Sequence, residues 1–453
     1  MKISIKKGLD LRLQGVVDTQ QKPIDITVSR VALTPDDFEG FVPKTGKRPG
    51  DKVLVGEEIL HDKNNENIKI VSPLAGTVVA VNRGARRHID SIVIEAENTS
   101  GGKSDSSEQY KFFEKPSNPT SRQLIEMLAY AGLLVFIRRR PFADIPDTTT
   151  LPRDIFVTAF DSAPLAVNRQ WSDSDVAYLQ SGASVLGNIT CGKVYVSHRD
   201  GQSFPELQGV ENVLVKGPHP SGLAGVQAAN IAPLNAGETI WTLSAETMWR
   251  IGRLMTDGVF DPGTEVAVCG SCVTQPYIAR TIIGAAVAPL LKDRLTDCNG
   301  HARVISGNVL TGIKTDIEDG YLHFPYTQLT VISEGDDKTE FMGWASVSPS
   351  KMSVSPSFPG FIMRRRFNPD ARVLGGRRAM IMSGQYDRYL PMDIYAEYLI
   401  KAIRNRNIES MEQLGIYEVA PEDFALAECL DSSRLPLQSI VREGLDYLRK
   451  ELN

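Results

Sequence analysis

Three consecutive arginines, Arg138, Arg139 and Arg140, are followed by Pro141 and Phe142. An apolar run of strand length, Leu133 to Ile137, stands just before them. Guanidinium groups always carry charge and donate hydrogen bonds in a fixed fork. An aromatic ring beside them adds an apolar face. These types suit the mouth of a site for a ligand that is apolar at one end and polar at the other. The plainer reading is a buried strand that ends in a solvated basic loop.

Other stretches invite chemistry less strongly. Gly217 to Gly225 reads GPHPSGLAG and follows the strand-like Val213 to Val215. A glycine-rich turn from strand to helix can offer backbone N–H groups to an anion. It is not G-x-G-x-x-G, and two prolines interrupt it, so a structural turn explains it too. Cys269-Gly-Ser-Cys272 is a single C-x2-C pair. With Cys298 and His301 it approaches a metal set, but the plainer reading is two buried thiols in a β-turn. It also lacks the βαβ setting of a dithiol redox site. The six histidines (His61, His88, His198, His219, His301 and His323) show no paired spacing and read as structural or surface residues. The string RRRF, Arg364 to Phe367, with Arg377 and Arg378 nearby, reads as a docking or solvated face for acidic partner surfaces or anionic headgroups.

The bulk of the chain narrows the classes. There are 453 residues, enough for two to four domains, with a net charge of −5 and a pI of about 5.8. That balance gives no general pull toward nucleic acid. The two most apolar runs, Leu124 to Ile137 and Tyr277 to Leu291, are too short for a bilayer and carry Glu126 and Arg280. The N-terminus MKISIKKGLD lacks an apolar signal core. A cytoplasmic chain is expected, with membrane contact only through partners or the surface. Five cysteines, sparse and odd in number, argue for free thiols.

Patterns along the chain give the elements that must position these residues. A multi-domain chain of α/β and α+β units is expected. Residues 1–100 show short alternating runs separated by Gly, Pro and Asn, hence an all-β unit. GDKVLVGEEIL and IVSPLAGTVVAVN resemble the biotinyl/lipoyl-type barrel sandwich. Its hairpin HDKNNEN carries Lys63 without flanking methionines, so no prosthetic group is expected. A polar linker, TSGGKSDSSEQ, follows. In residues 101–260 a helix runs toward Gly132, and strand and helix patterns then alternate, which means a mostly parallel sheet covered by helices. Residues 261–352 are β-rich around one expected helix, Gln275 to Leu291, and suggest a β-grasp-like unit. Residues 353–453 turn helical at Tyr395 to Asn405, Glu409 to Leu414, Pro421 to Cys429 and Leu437 to Leu452.

ISIKKGLDL, the sandwich strings, RRRPFADIP, DIFVTAFDSAPLAV, GPHPSGLAG and LPMDI occur in one order along nearly the whole chain. Together they resemble the NqrA family of the sodium-translocating NADH:quinone reductases. The resemblance implies a peripheral subunit on the cytoplasmic face of the bacterial inner membrane, within a membrane-embedded redox sodium pump. It implies partner subunits that hold NAD, flavins and iron–sulfur, with quinone as substrate and no cofactor bound by this chain. More distant relatives, the RnfC protein of the Rnf complex and the flavin subunit of complex I, bind flavin through a Gly-rich loop after the helix that ends at Gly132. The α/β unit is therefore expected to be Rossmann-like, with a degenerate flavin site. Here VFIRRRPF occupies that loop, and bulky charged side chains replace the glycines a phosphate needs. The iron–sulfur runs of the Rnf relative are also missing, since Cys429 stands alone. The resemblance leaves a quinone-binding role. Its expected contacts are Arg138, Arg139, Arg140, Pro141 and Phe142, with Phe38, Gly40 and Phe41 of the stretch Val31 to Pro43, in a groove between the first two units. The competing expectation is a structural docking subunit whose flavin or NADH pocket is a filled relic.

Overall fold

The computed structural model describes residues 1–97, 110, 118–296, 298, 301–336, 347–363 and 365–452. The expected linker at 99–109 and Arg364 lie outside the described residues.

A six-stranded sheet organises the α/β unit. Lys2–Ser4, Glu211–Lys216, Val194–Arg199, Ile155–Thr158 and Ile240–Ser244 run parallel in that order. Arg138–Arg140 closes the edge antiparallel to Ile240–Ser244. Strand alternation divides the side chains between two cores. Ile155 and Val157 pack in one with Leu179, Leu186 and Met248 of helices Asp173–Ile189 and Ala245–Asp257. Phe156 packs in the other with Ala228 of Ala224–Ile231. Burial on both faces is why these strands read as near-continuous apolar runs.

The helix Ser121–Tyr130 starts at Thr120, whose side chain closes a capping box with Gln123. Gly132 follows the helix with φ of +71°, a conformation that a Cβ resists. The next run corrects the sequence reading. Leu134–Phe136 forms a 3-10 turn, and the strand is the arginine triplet itself. Leu133 to Ile137 are all buried. Such a run carries no periodicity to tell a turn from a strand.

The sandwich pairs a four-stranded sheet (Arg30–Leu33, Ile89–Ala96, Gly76–Arg83, Lys52–Val53) with a three-stranded one (Pro43–Lys44, Glu58–Asp62, Lys69–Val71). Lys63 is exposed beside the turn between Glu58–Asp62 and Lys69–Val71. The first 25 residues do not fold with this unit. Lys2–Ser4 extends the α/β sheet, and Ile24–Asp25 pairs with Ala279 and Arg280. Alternation gives a strand its two faces but not its neighbour, so the sequence left these strands with the sandwich.

A second six-stranded sheet follows the order Ile313–Thr315, Ala302–Ser306, Gln328–Ser333, Gly263–Cys269, Tyr277–Ile282, Ile24–Asp25. The helix expected over Gln275 to Leu291 begins as a strand instead. Tyr277–Ile282 pairs antiparallel with Gly263–Cys269, and only Ala288–Leu291 is helical. Tyr277, Ile278 and Thr281 favour a strand, and Gly284 at φ +71° turns the chain. Cys272 and Cys298 are joined in a disulfide, which corrects the expectation that all five thiols are free. The Val273–Leu295 bridge and the Thr296 N–H donated to the Cys272 carbonyl bring them together across 26 residues. Spacing alone could not show that closure. Four helices end the chain, Ala396–Arg404, Ile408–Gln413, Ala425–Leu430 and Leu437–Leu452, close to where the sequence placed them.

Candidate functional site

The chain leaves Ile155–Thr158 toward Val194–Arg199 and Glu211–Lys216, then crosses back to Ile240–Ser244 on the other side. Such a reversal opens a crevice at the carboxyl ends of the two central strands. A cavity of about 690 Å³ lies there, a size that suits a small organic ligand. Thr158 and Asp161 line it from one strand end, and Ser244 and Glu246 from the other. The sandwich adds Asp36, Asp37 and Glu39, the second sheet adds Phe324 to Gln328, and the C-terminal region adds Pro421 and Glu422. Phe136 and Arg138 bring in the arginine stretch.

Strand alternation splits the arginine triplet. Arg139 turns to the side away from Arg138. Its Nε and Nη2 hold both oxygens of Asp144 at 2.9 and 2.7 Å, and its Nη1 donates to Asp147 at 2.9 Å. Arg140 is buried and donates to Asp423 (2.9 Å), the Glu418 carbonyl (3.0 Å) and Glu422 (3.3 Å). Burial works against the Glu422 charge, but Arg140 and Arg138 win and hold its carboxyl below the usual range. Arg138 lines the cavity, and its guanidinium has no hydrogen-bond or ion-pair partner among the described residues. Pro141 is buried. Phe142 is half-buried against the C-terminal helices, and its carbonyl accepts from Arg442 at 2.9 Å.

The stretch Val31 to Pro43 does meet Arg138 to Pro146. The Ile145 N–H donates to the Glu39 carbonyl at 3.0 Å. Gly40, at φ +87°, sits so close to Asp144 that a Cβ would lie 3.1 Å from its side chain. Phe38 stacks on Phe324 at 5.1 Å between centroids, and Phe136 stacks on the same ring at 4.6 Å. Phe41 lies in the sandwich core. Asp37 fixes this join by accepting from the Phe324 N–H (3.0 Å) and contacting His323 Nδ1 (2.8 Å).

Several cavity residues had escaped the sequence reading. Arg250 is buried and donates to Glu246 and to the Asp261 and Gly263 carbonyls. Arg169 lies 4.6 Å from each of the Trp171 and Trp249 rings, with Asp175 and Glu246 at 3.8 and 3.6 Å. Desolvation pushes the Asp161 carboxyl up, although nearby backbone N–H groups oppose it. Burial drives His219 down to about 4, against the pull of Asp10. Its Nδ1 contacts Ser162 Oγ at 3.1 Å, and that oxygen accepts from the Gly222 N–H. The available signal was local: Glu246 and Arg250 stand one helical turn apart at a helix start.

The turn GPHPSGLAG joins strand to helix as expected, and four of its amides are already spent. The N–H groups of His219, Ser221, Gly222 and Leu223 donate to Asp10, Pro218, Ser162 and Pro220. At Gly225 the Arg140 guanidinium fills the space where a Cβ would stand. Among the described residues no group of His, Cys, Asp and Glu could hold a metal ion, and no helix is long and apolar enough to cross a membrane.

Three family models match the chain. The NqrA N-terminal barrel-sandwich hybrid domain covers residues 3–97, the NqrA second alpha/beta domain 120–260, and the NQRA C-terminal domain 265–316. The chain is 33% identical over 455 residues to the NqrA protein of the Na(+)-translocating NADH-quinone reductase of Saccharophagus degradans, with 99% of this chain and 100% of that one covered. It is 34% identical over 454 residues to the protein of the same description from Vibrio anguillarum, at the same coverage. A solved NAD+-reducing nickel–iron hydrogenase aligns over 48% of each chain at 14% identity with a TM-score of 0.31, too distant to carry an argument. On these matches, and on the order of its units, the chain belongs to the NqrA family of the Na(+)-translocating NADH-quinone reductases.

Proposed function

We propose that this chain is the peripheral subunit of a sodium-translocating NADH-quinone reductase, on the cytoplasmic face of the membrane, and that its cavity receives the quinone headgroup. One observation carries this reading: Phe136, Phe324 and Arg138 converge where the sandwich, the α/β sheet and the second sheet meet. A quinone presents a flat ring and two carbonyl acceptors. The stacked rings supply a flat apolar wall, and Arg138 supplies a charged donor. Phe38 backs that wall through Phe324, and Gly40 allows the close approach of the loop that carries it. Phe41 shares the apolar core behind the wall, Phe142 ties the strand's exit to the C-terminal helices, and Arg139 and Arg140 hold the strand in place. Asp161 lines the same cavity with a carboxyl that burial disposes to keep a proton. NAD, flavins and iron–sulfur belong to partner subunits in this reading. The chain itself binds and orients.

Photo-crosslinking with a light-reactive quinone on the assembled complex, followed by peptide mapping, tests the assignment. Labels at 31–43 or 136–146 that excess quinone removes are the expected result. The pairing of Arg139 and Arg140 within the chain favours a second reading, a docking subunit with a closed relic pocket. Labels confined to other subunits would establish that one instead.

A further inference from the structure

We propose that the strap formed by residues 361–363 and 365–382 seats this chain on an anionic phospholipid surface. The inference rests on the peripheral placement proposed above and adds the face and the ligand class.

The strap concentrates exposed apolar side chains. Of the nineteen large apolar side chains most exposed on the described surface, six fall here: Phe361, Ile362, Met363, Val373, Ile381 and Met382. Ile362 and Val373 are each 75% exposed, which is costly in water and favourable at a bilayer interface. The same strap is basic on a chain of net charge −5. Asp370 is the only acid between residues 361 and 386, and it is paired with Arg372 at 2.8 Å. Arg366, Arg377 and Arg378 are exposed, with no side-chain partner among the described residues.

Backbone bonds pin the strap while leaving these side chains outside. Phe367 exchanges hydrogen bonds with Arg12 and Gln14, the Ala371 N–H donates to Ser333, and the Arg378 N–H donates to Ser433. Charge then selects the occupant. Cytoplasmic loops of integral membrane proteins carry an excess of Lys and Arg, so they repel an arginine strap. Anionic headgroups attract it, and the boundary beneath them accepts Ile and Phe.

The test is flotation of the full chain with vesicles. Vesicles of phosphatidylglycerol and phosphatidylcholine should carry the chain, and phosphatidylcholine alone should not. Combining R366Q, R377Q and R378Q should weaken partitioning on the order of a hundredfold. Combining I362S and I381S should weaken it by about tenfold. Unchanged thermal melting shows that these variants fold. Equal binding to neutral vesicles, or full binding by the arginine variant, overturns the proposal. So does assembly with the partner subunits in lipid-free detergent that depends on the same arginines, since that assigns the strap to protein docking. Quinone labelling of the cavity is read separately. If flotation fails while labelling persists, only this inference falls; the reverse sinks only the quinone reading.

Discussion

Replacing Arg140 should unlatch the arginine strand from the C-terminal helices. Its guanidinium is buried and serves Asp423, Glu422 and the Glu418 carbonyl at once. Arg140→Met keeps most of the volume but strands two carboxylates. Breaking a buried pair from one side costs about 3–5 kcal/mol, because the remaining charge stays desolvated. Removing both partners in Arg140→Met with Asp423→Leu should recover part of that loss, since Glu422 still lacks Arg140 and the Ala420 N–H loses its acceptor. Gly225 gives a sharper version, because a Cβ there would overlap Nη2 and Cζ of Arg140. Gly225→Ala should therefore destabilise the native chain. In an Arg140→Ala background the clash is gone, and alanine should favour its helix by roughly 0.5–1 kcal/mol over glycine. Urea unfolding of the four proteins gives the coupling energy. Hydrogen exchange at 138–140 and 421–430 locates it. A loss below about 1 kcal/mol for Arg140→Met, or the same sign for Gly225→Ala in both backgrounds, would refute the latch.

Arg138→Gln should lower the urea midpoint far less than Arg140→Met, since this side chain makes no hydrogen bond or ion pair among the described residues and only assists Arg140 in holding the Glu422 charge, and should reduce quinone labelling in the assembled complex. Equal labelling would remove Arg138 from the site. His219 is neutral in the fold, with its pKa lowered from 6.5 to about 4. Its stabilising contribution is full above pH 6.5 and is lost as pH falls toward 4, about 3 kcal/mol in all. Urea unfolding from pH 7 to 4 should show a steeper loss in the native chain than in His219→Asn, and parallel curves would count against it. Burial pushes the Cys269 thiol up to about 12, whereas Cys191 is exposed. Maleimide at neutral pH should label Cys191 and spare Cys269, and early labelling of Cys269 would mean that the second sheet opens.

The sequence carried the class of each unit further than the partners of each strand. The C-terminal helices were legible because one face alternates with water every 3.6 residues, as Leu399, Ile400 and Ile403 do against Lys401 and Arg404. Tyr277 to Leu291 misled because burial of Tyr277, Ile278 and Ala279 in succession erased the period. Lys2–Ser4 and Ile24–Asp25 were placed with the sandwich because their neighbours lie far along the chain. At the site, the two predicted stretches do meet, yet a run of three arginines does not say which one stays unpaired. Their carboxylate partners stand from Asp144 to Asp423, and only the fold brings Asp423 near. Asp161 and Arg169 sit on the loop that follows Ile155–Thr158, where nothing local distinguishes a cavity residue from a surface one.

The charge around the cavity bears on what it can hold. Seven carboxylates line it (Asp36, Asp37, Glu39, Asp161, Glu246, Glu265 and Glu422) against five guanidinium groups (Arg138, Arg169, Arg250, Arg280 and Arg442), with no lysine. Arg250 and Arg442 are already bonded within the chain, and Arg280 is paired with Glu265. A nucleotide would bring phosphates into a wall with more acid than base. It would also need backbone amides at the strand-to-helix turn, where four are spent on Asp10, Ser162 and neighbouring carbonyls and the Arg140 guanidinium crowds Gly225. A neutral ligand meets no such repulsion. It asks for a flat apolar wall and one or two unengaged donors, and Phe136, Phe324 and Arg138 offer those.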